Sequence, residues 1–290
     1  MHSIEIPDKN LTIELPSSWD DCTHEQAHYI LERAFAVMDG TLSIGEFRLQ
    51  VFRHLAGLKT GITYLIRQRL GLNTEANARI YQLSAQLCSW IFEKQEDNTY
   101  QLQFETVHNF FPVLLEKEYG PQDLLADLTL GEFKTALSAL DQYFECKENE
   151  QEAQEYLHLF LATIYRPKYE DTGEKVPFHQ YFPHPPIFEK VPMWQKQCIV
   201  IWFSYCVKCL QSEELTINGI DIDLSVLFPQ SKGSSNRKVN LGWTGVLLDI
   251  AESGVFGDAT TTSRTPLYDV LIYLLKKHQD QKQHDNRKKV

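Results

Sequence analysis

The sequence predicts a mainly α fold: a multi-helix globular protein with two or three small β-hairpins. Two observations set that class. Long apolar runs recur at helical spacing behind capping residues, and the few alternating stretches are short and come in pairs around turn residues. With 43% hydrophobic and 12% aromatic residues over 290 positions, the chain has the material for a substantial core and is not a disordered polymer.

Taken in order, "SIEIPDKNLTIELP" alternates on both sides of Asp8-Lys9-Asn10 and predicts a hairpin over residues 3–15, ended by Pro16. Thr23 followed by Gln26 is a capping box, so a helix should run over 24–38. Residues 44–58 place Phe47, Val51, Phe52 and Leu55 on one face, and 62–70 and 75–92 also read as helices. "WIFEKQEDNTYQLQF" predicts a second hairpin that turns at Glu96-Asp97-Asn98.

Gly120-Pro121 is the best internal boundary. It gives an N-terminal lobe of a hairpin plus helices over 1–119 and a C-terminal helical lobe with a basic tail over 120–290, unless both form one compact domain. "DLTLGEFKTALSALDQYF" opens on a second capping box, Thr129 to Glu132, and a further helix over 152–165 ends at Tyr165-Arg166-Pro167. Proline stops that helix and biases Arg166 away from helical angles, which frees Arg166 to bond orphan carbonyls or a carboxylate from the acidic loop "ECKENEQE" over 145–152. "FHQYFPHPPIFEKVP" is too proline-rich for an α-helix and reads as extended. Residues 193–211 are apolar on nearly every side and predict a central buried helix. Asn218-Gly219 between alternating flanks is a hairpin signal, 230–240 reads as a polar loop, and two helices close the chain.

The formal charge of −11 argues against a nucleic-acid surface as the main business, since phosphate contacts need clustered Lys and Arg. The basic run over 276–290 reads as a frayed, solvated end. No signal peptide and no stretch of membrane-spanning length is visible, so a cytoplasmic, non-membrane protein is expected, with its six cysteines reduced.

Catalytic motifs are missing. Cys206 and Cys209 form a CxxC, but there is no second pair for zinc, and the motif lies late in an apolar helix rather than at a helix N-terminus; packing is the better reading. On that helix Trp194, Cys198, Ile201, Tyr205 and Cys209 should share a face. His24 and His28 have metal-ligand spacing without the HExxH order, so a solvated face explains them better; His179 and His184 read as surface loop. Asp221 and Asp223 fall on one face of a strand with nothing else to mark a pocket. "KGSSNRK" lacks the phosphate-loop order, and neither GxSxG nor GxGxxG occurs. The residues therefore predict no enzyme, no cofactor and no metal site. A metal-dependent enzyme or regulator using Cys206, Cys209 and a histidine is the rival from another class.

"DLTLGEFKTALSALDQYF" followed by "LHLFLATIYRPK" resembles a pattern of tail-cluster proteins of tailed phages and prophages of the Bacteroidetes type, in which a D-L-T-x-G-E-F helix precedes an L-x-A-x-x-Y-R-P helix end. "ELPSSWDDCTHEQ" resembles the opening of the same family, and "GWTGVLLDIAESGVFGDATTTSRTPLYDVLIYLLKK" its close. These blocks cover about half the chain, and the basic tail departs from the pattern. The resemblance implies a tail-assembly chaperone-like protein that binds tail or tape-measure proteins in the host cytoplasm, with a neck or tail subunit of the virion as the alternative. It implies no catalytic residues. The partner-binding candidates are Tyr165, Arg166, Tyr181, Phe182 and Phe188, the last three in the aromatic-proline run.

Overall fold

The computed structural model describes residues 1–6, 10–58, 74–146, 148–180, 185–212, 214–217, 220–224 and 242–288. The chain is mainly α, with small β-hairpins, and divides into two compact units, Met1–Thr106 and Val107–Val290.

In the first unit, β1 (His2–Ile6) pairs antiparallel with β2 (Leu11–Leu15), with Ile4 opposite Ile13. Helix α1 (His24–Met38) starts where the sequence places it: the Thr23 side chain accepts from the Gln26 amide while Gln26 reaches back to the cap. Its buried residues Ala27, Ile30, Leu31, Ala34 and Phe35 follow the helical repeat. Helix α2 (Ile44–Leu55) opens on a further capping box, Ser43 with Glu46, which the sequence reading missed, and it ends before the expected position 58. Helix α3 (Thr74–Leu87) also stops early, giving way to a 3₁₀ turn at Ser89–Ile91. Phe92 begins β3 (Phe92–Lys94), pairing with Leu102 of β4 (Tyr100–Leu102); the ladder takes the backbone groups a longer helix would have used. The expected helix over 62–70 lies outside the described residues.

Residues of the "ELPSSWDDCTHEQ" block have structural work in this unit. Pro16 is buried, and the indole N–H of buried Trp19 donates to the Gln103 carbonyl at 2.5 Å. The same ring sits edge-on to Trp90 at 5.1 Å and to Phe104 at 4.8 Å.

The second unit starts ahead of the Gly120-Pro121 boundary read from the sequence, because the segment before Gly120 is hydrogen-bonded to the chain beyond it. Short strands β5 (Val113–Leu114) and β6 (Glu118–Tyr119) pair with each other, and Tyr119 and Arg166 exchange backbone hydrogen bonds of 2.8 and 3.1 Å. Helices α4 (Leu130–Glu145) and α5 (Glu150–Ile164) pack together, with Phe133, Ala136 and Leu140 of one and Leu157, Phe160 and Ile164 of the other buried. Helix α6 (Met193–Ser212) is the expected central helix. Its Phe203 ring lies 5.1 Å from Phe160 and 6.1 Å from Phe133, at the heart of the core. On the predicted face only Cys198 and Cys209 are fully buried; the deepest stripe also takes in Ile199, Trp202, Phe203 and Cys206.

Strands β7 (Glu214–Ile217) and β8 (Ile220–Asp223) form the hairpin expected around Asn218-Gly219, the two turn residues themselves lying outside the described set. The loop over 230–240 also lies outside it. Helices α7 (Gly242–Ser253) and α9 (Leu267–Lys288) close the chain, with a short α8 (Ala259–Arg264) capped by Asp258 between them. The basic end is thus helical as far as Lys288 rather than frayed.

The proline-rich run differs from expectation. Phe178–Gln180 and Pro185–Lys190 are 3₁₀ turns, not extended chain. Proline is pre-set for the first turn of a helix, where its missing N–H costs nothing, and Pro185 and Pro186 occupy that turn. Burial of Phe188 then fixes the segment.

Candidate functional site

The segments that carry the C-terminal resemblance converge in the second unit on one charged cluster beside a cavity of about 300 Å³, lined among others by Asp127, Glu132, Arg166, Lys175, Phe178 and Arg264. The convergence is built from local chemistry. Thr129 ends extended chain and caps α4; Glu132 Oε2 accepts from the Thr129 amide at 2.7 Å and from its hydroxyl at 2.8 Å. Glu132 Oε1 is left to ion-pair with the Arg166 guanidinium, and the two side chains are 1% and 5% exposed, which makes this a buried pair.

Arg166 is held from three further directions. Its Nε donates to the Val176 carbonyl at 2.7 Å, and an Nη donates to the Thr163 carbonyl at 2.9 Å, one of the orphan acceptors at the end of α5. The guanidinium also lies 5.8 Å from the Phe178 ring. Pro167 therefore does what the sequence suggested: it ends the helix and turns Arg166 to bond a last-turn carbonyl. The carboxylate partner, however, comes from the capping box of α4 and not from the acidic loop between α4 and α5.

Around this pair the backbones approach closely. The Leu130 amide donates to the Thr265 carbonyl at 3.0 Å and the Leu267 amide to the Leu128 carbonyl at 2.8 Å, clamping Thr129 against Pro266. That clamp explains Gly131: a Cβ there would lie 2.1 Å from Ser263 Oγ and 2.8 Å from the Ser263 carbonyl oxygen. Gly120 has the same role against Tyr165, where a Cβ would lie 2.5 Å from the ring. The Tyr165 hydroxyl donates to the Phe111 carbonyl at 2.7 Å, and burial pushes its pKa far above the ordinary value. Lys175 Nζ bridges the Gly120 carbonyl at 2.9 Å and Asp127 at 2.8 Å.

Of the residues expected to bind a partner, Tyr165 and Phe188 are fully buried, their rings in edge contact at 6.4 Å between centroids, and Arg166 is committed to the cluster. Tyr181 and Phe182 lie outside the described residues, as does His184. Arg264 and His179, which line the cavity, are exposed.

The remaining sequence candidates do not gather here. Cys206 and Cys209 are fully buried in the core, and burial drives the Cys206 thiol well above its usual range, so it is not a reactive thiolate. His24 is exposed and His28 half-buried on α1. Of the side chains of Asp221 and Asp223 nothing is described. Among the described residues no group of three His, Cys, Asp or Glu is placed to hold a metal ion, and no helix is long and apolar enough to cross a membrane.

The cluster brings together two ion pairs, one helix cap and two glycine contacts. Its bonds join the start of α4, the end of α5 and the Ser263–Leu267 stretch, so these contacts lock distant segments together. Compared with protein-family models, curated proteins and solved structures, the chain matches none.

Proposed function

We propose that the protein is a non-enzymatic component of a phage or prophage tail-assembly pathway, a chaperone-like binder of tail or tape-measure proteins in the host cytoplasm. One observation supports this reading above others: the residues that carry the resemblance in the C-terminal half meet in space. Thr129, Gly131 and Glu132 of the first block, Tyr165-Arg166-Pro167 of the second and the Ser263–Leu267 stretch of the third form the cluster around Glu132 and Arg166. That scattered members of the pattern share one structural role is what supports reading them together. The polar groups of the cluster are used in holding the fold, which suits a protein that works by presenting surface.

The test is a pull-down of tagged protein from phage-producing cells, with mass spectrometry of the bound proteins and of purified particles. Capture of tape-measure or tail-tube proteins, with the protein absent from particles, is the expected result. Retention in particles at fixed stoichiometry would overturn the chaperone role in favour of a neck or tail subunit. Capture of no tail protein, and absence from particles, would overturn both.

A further inference from the structure

The 3₁₀ turn Pro185–Lys190 packs along α5, with Phe188 buried and its ring 6.4 Å from that of Tyr165. The fit is incomplete. A cavity of about 500 Å³ remains, lined by Pro185, Pro186 and Glu189 of the turn and by residues of α5 that include Tyr156 and His158. His158 is 8% exposed, and its Nε2 lies 2.7 Å from Nζ of Lys196 on α6, itself 4% exposed. Two basic side chains are therefore in contact, out of bulk water, where the turn meets two helices.

With the ring neutral, the ammonium donates to Nε2 and the contact is a hydrogen bond. With a second proton on the ring it becomes two cations side by side, with little water to screen them. The charged groups that act on the ring are Lys196 of α6 and Glu189 of the turn. Glu152 and Glu155 of α5 line the same cavity, Glu152 engaged with the Asn149 side chain, and Lys190 of the turn is exposed. Burial, and then the Lys196 charge, hold the His158 pKa below its ordinary value, while Glu189 opposes them. Burial lowers the Lys196 pKa too, again opposed by Glu189. A form that lets water reach the ring takes up the proton more readily than the closed form. Closure therefore weakens as pH falls below 6.5, the ordinary histidine value.

Which element yields depends on what else holds it. Helices α5 and α6 are joined through the core, with the Phe160 and Phe203 rings 5.1 Å apart. The turn has a single buried side chain, Phe188, and already leaves space against α5. We propose that Pro185–Lys190 is an acid-released strap: protonation of His158 beside Lys196 lifts the turn from α5, admits water to both cations and uncovers Phe188. Phe188 reads from the sequence as a partner contact, yet the closed form buries it; release makes that side chain available. The inference does not depend on the tail-assembly reading.

The test is hydrogen exchange of the full chain at about pH 7.5 and about pH 5, read by mass spectrometry and corrected for the intrinsic pH dependence of exchange. Protection of the 187–191 amides should fall by about tenfold at the lower pH, the effect of a one-unit difference in pKa, while the cores of α5 and α6 keep theirs. His158→Gln retains an acceptor for the ammonium and removes the titration, so its protection should not depend on pH. Lys196→Met removes the charge that opposes the second proton and should shrink the pH effect. In a parallel NMR titration the His158 midpoint should move up in Lys196→Met and down in Glu189→Gln, opposite shifts that a merely structural role would not produce. Glu189 is exposed, so its variant retains the fold. Equal protection of 187–191 at both pH values in the parent overturns the strap. So does a loss that persists in His158→Gln, a loss shared equally by α5 and α6, or a midpoint that moves the same way in both variants.

Discussion

Glu132→Gln separates the ion pair from the helix cap. Glutamine serves at the third position of a capping box as well as glutamate does, so the bonds from Thr129 to Oε2 have an amide oxygen to replace them. What is lost is the negative charge beside Arg166, in a pair whose members are 1% and 5% exposed. Removing one partner of a buried pair typically costs about 3–5 kcal/mol, because the other charge stays buried without compensation. Arg166 keeps its bonds to the Val176 and Thr163 carbonyls, so the loss should fall at the low end, about 3 kcal/mol. For a unit of this size that lowers the melting temperature by about 6–12 °C. Arg166→Met should cost at least as much, since it strands Glu132 and frees both carbonyls. The double variant Glu132→Gln/Arg166→Met should recover part of the summed loss, with a coupling of about 1–3 kcal/mol. Urea unfolding followed by circular dichroism measures all four chains. A Glu132→Gln loss below about 1 kcal/mol, the ordinary value of an exposed pair, or strict additivity in the double variant, would refute the view that this pair locks the cluster.

Gly131→Ala should destabilise by at least about 1–3 kcal/mol through overpacking, and adding Ser263→Ala should rescue it only in part, because the Ser263 carbonyl oxygen remains 2.8 Å from the new Cβ; thermal melts of the single and double variants decide this. Glu118 is buried, its Oε2 has no hydrogen-bond partner among the described residues, and burial raises its pKa. The folded state therefore holds that proton more tightly than the unfolded chain, and the stability it contributes at low pH is lost as pH rises through the folded pKa. Glu118→Gln should accordingly gain stability relative to the parent at neutral pH and not at acid pH, measured by urea midpoints at both. His158 has the opposite sign: its folded pKa lies below 6.5, so the unfolded chain takes up the proton first and the parent loses stability as pH falls below that value. His158→Gln should flatten this part of the pH–stability curve, and an unchanged slope would contradict the burial assigned to the imidazole.

Features that depend on near neighbours in sequence were legible. The Thr23–Gln26 and Thr129–Glu132 caps, the hairpins of β1–β2, β3–β4 and β7–β8, and the apolar helix α6 each announce themselves within a few residues. Proline misled at Pro185–Lys190, where composition alone does not distinguish extended chain from a 3₁₀ turn and burial of Phe188 decides. The β5–β6 pairing gave no signal, since its turn uses Leu115 and Glu116 at positive φ, where glycine or asparagine would have marked it. Most of the cluster was hidden for a different reason. Glu132 was read as a cap and Arg166 as a helix end, but nothing local says that they meet, nor that Gly131 abuts Ser263 and Gly120 abuts Tyr165. Those contacts are long-range, and a single sequence carries them only as unexplained glycines and a conspicuous Tyr-Arg-Pro. The His158–Lys196 contact was equally hidden, because it joins side chains across two helices.

The most direct test of the proposed tail-assembly role is electron microscopy of particles released after the coding sequence is deleted from the genome that carries it. Filled heads with missing or malformed tails, restored by the parent chain supplied in trans, are the predicted result. Normal, infectious, fully tailed particles would contradict the account.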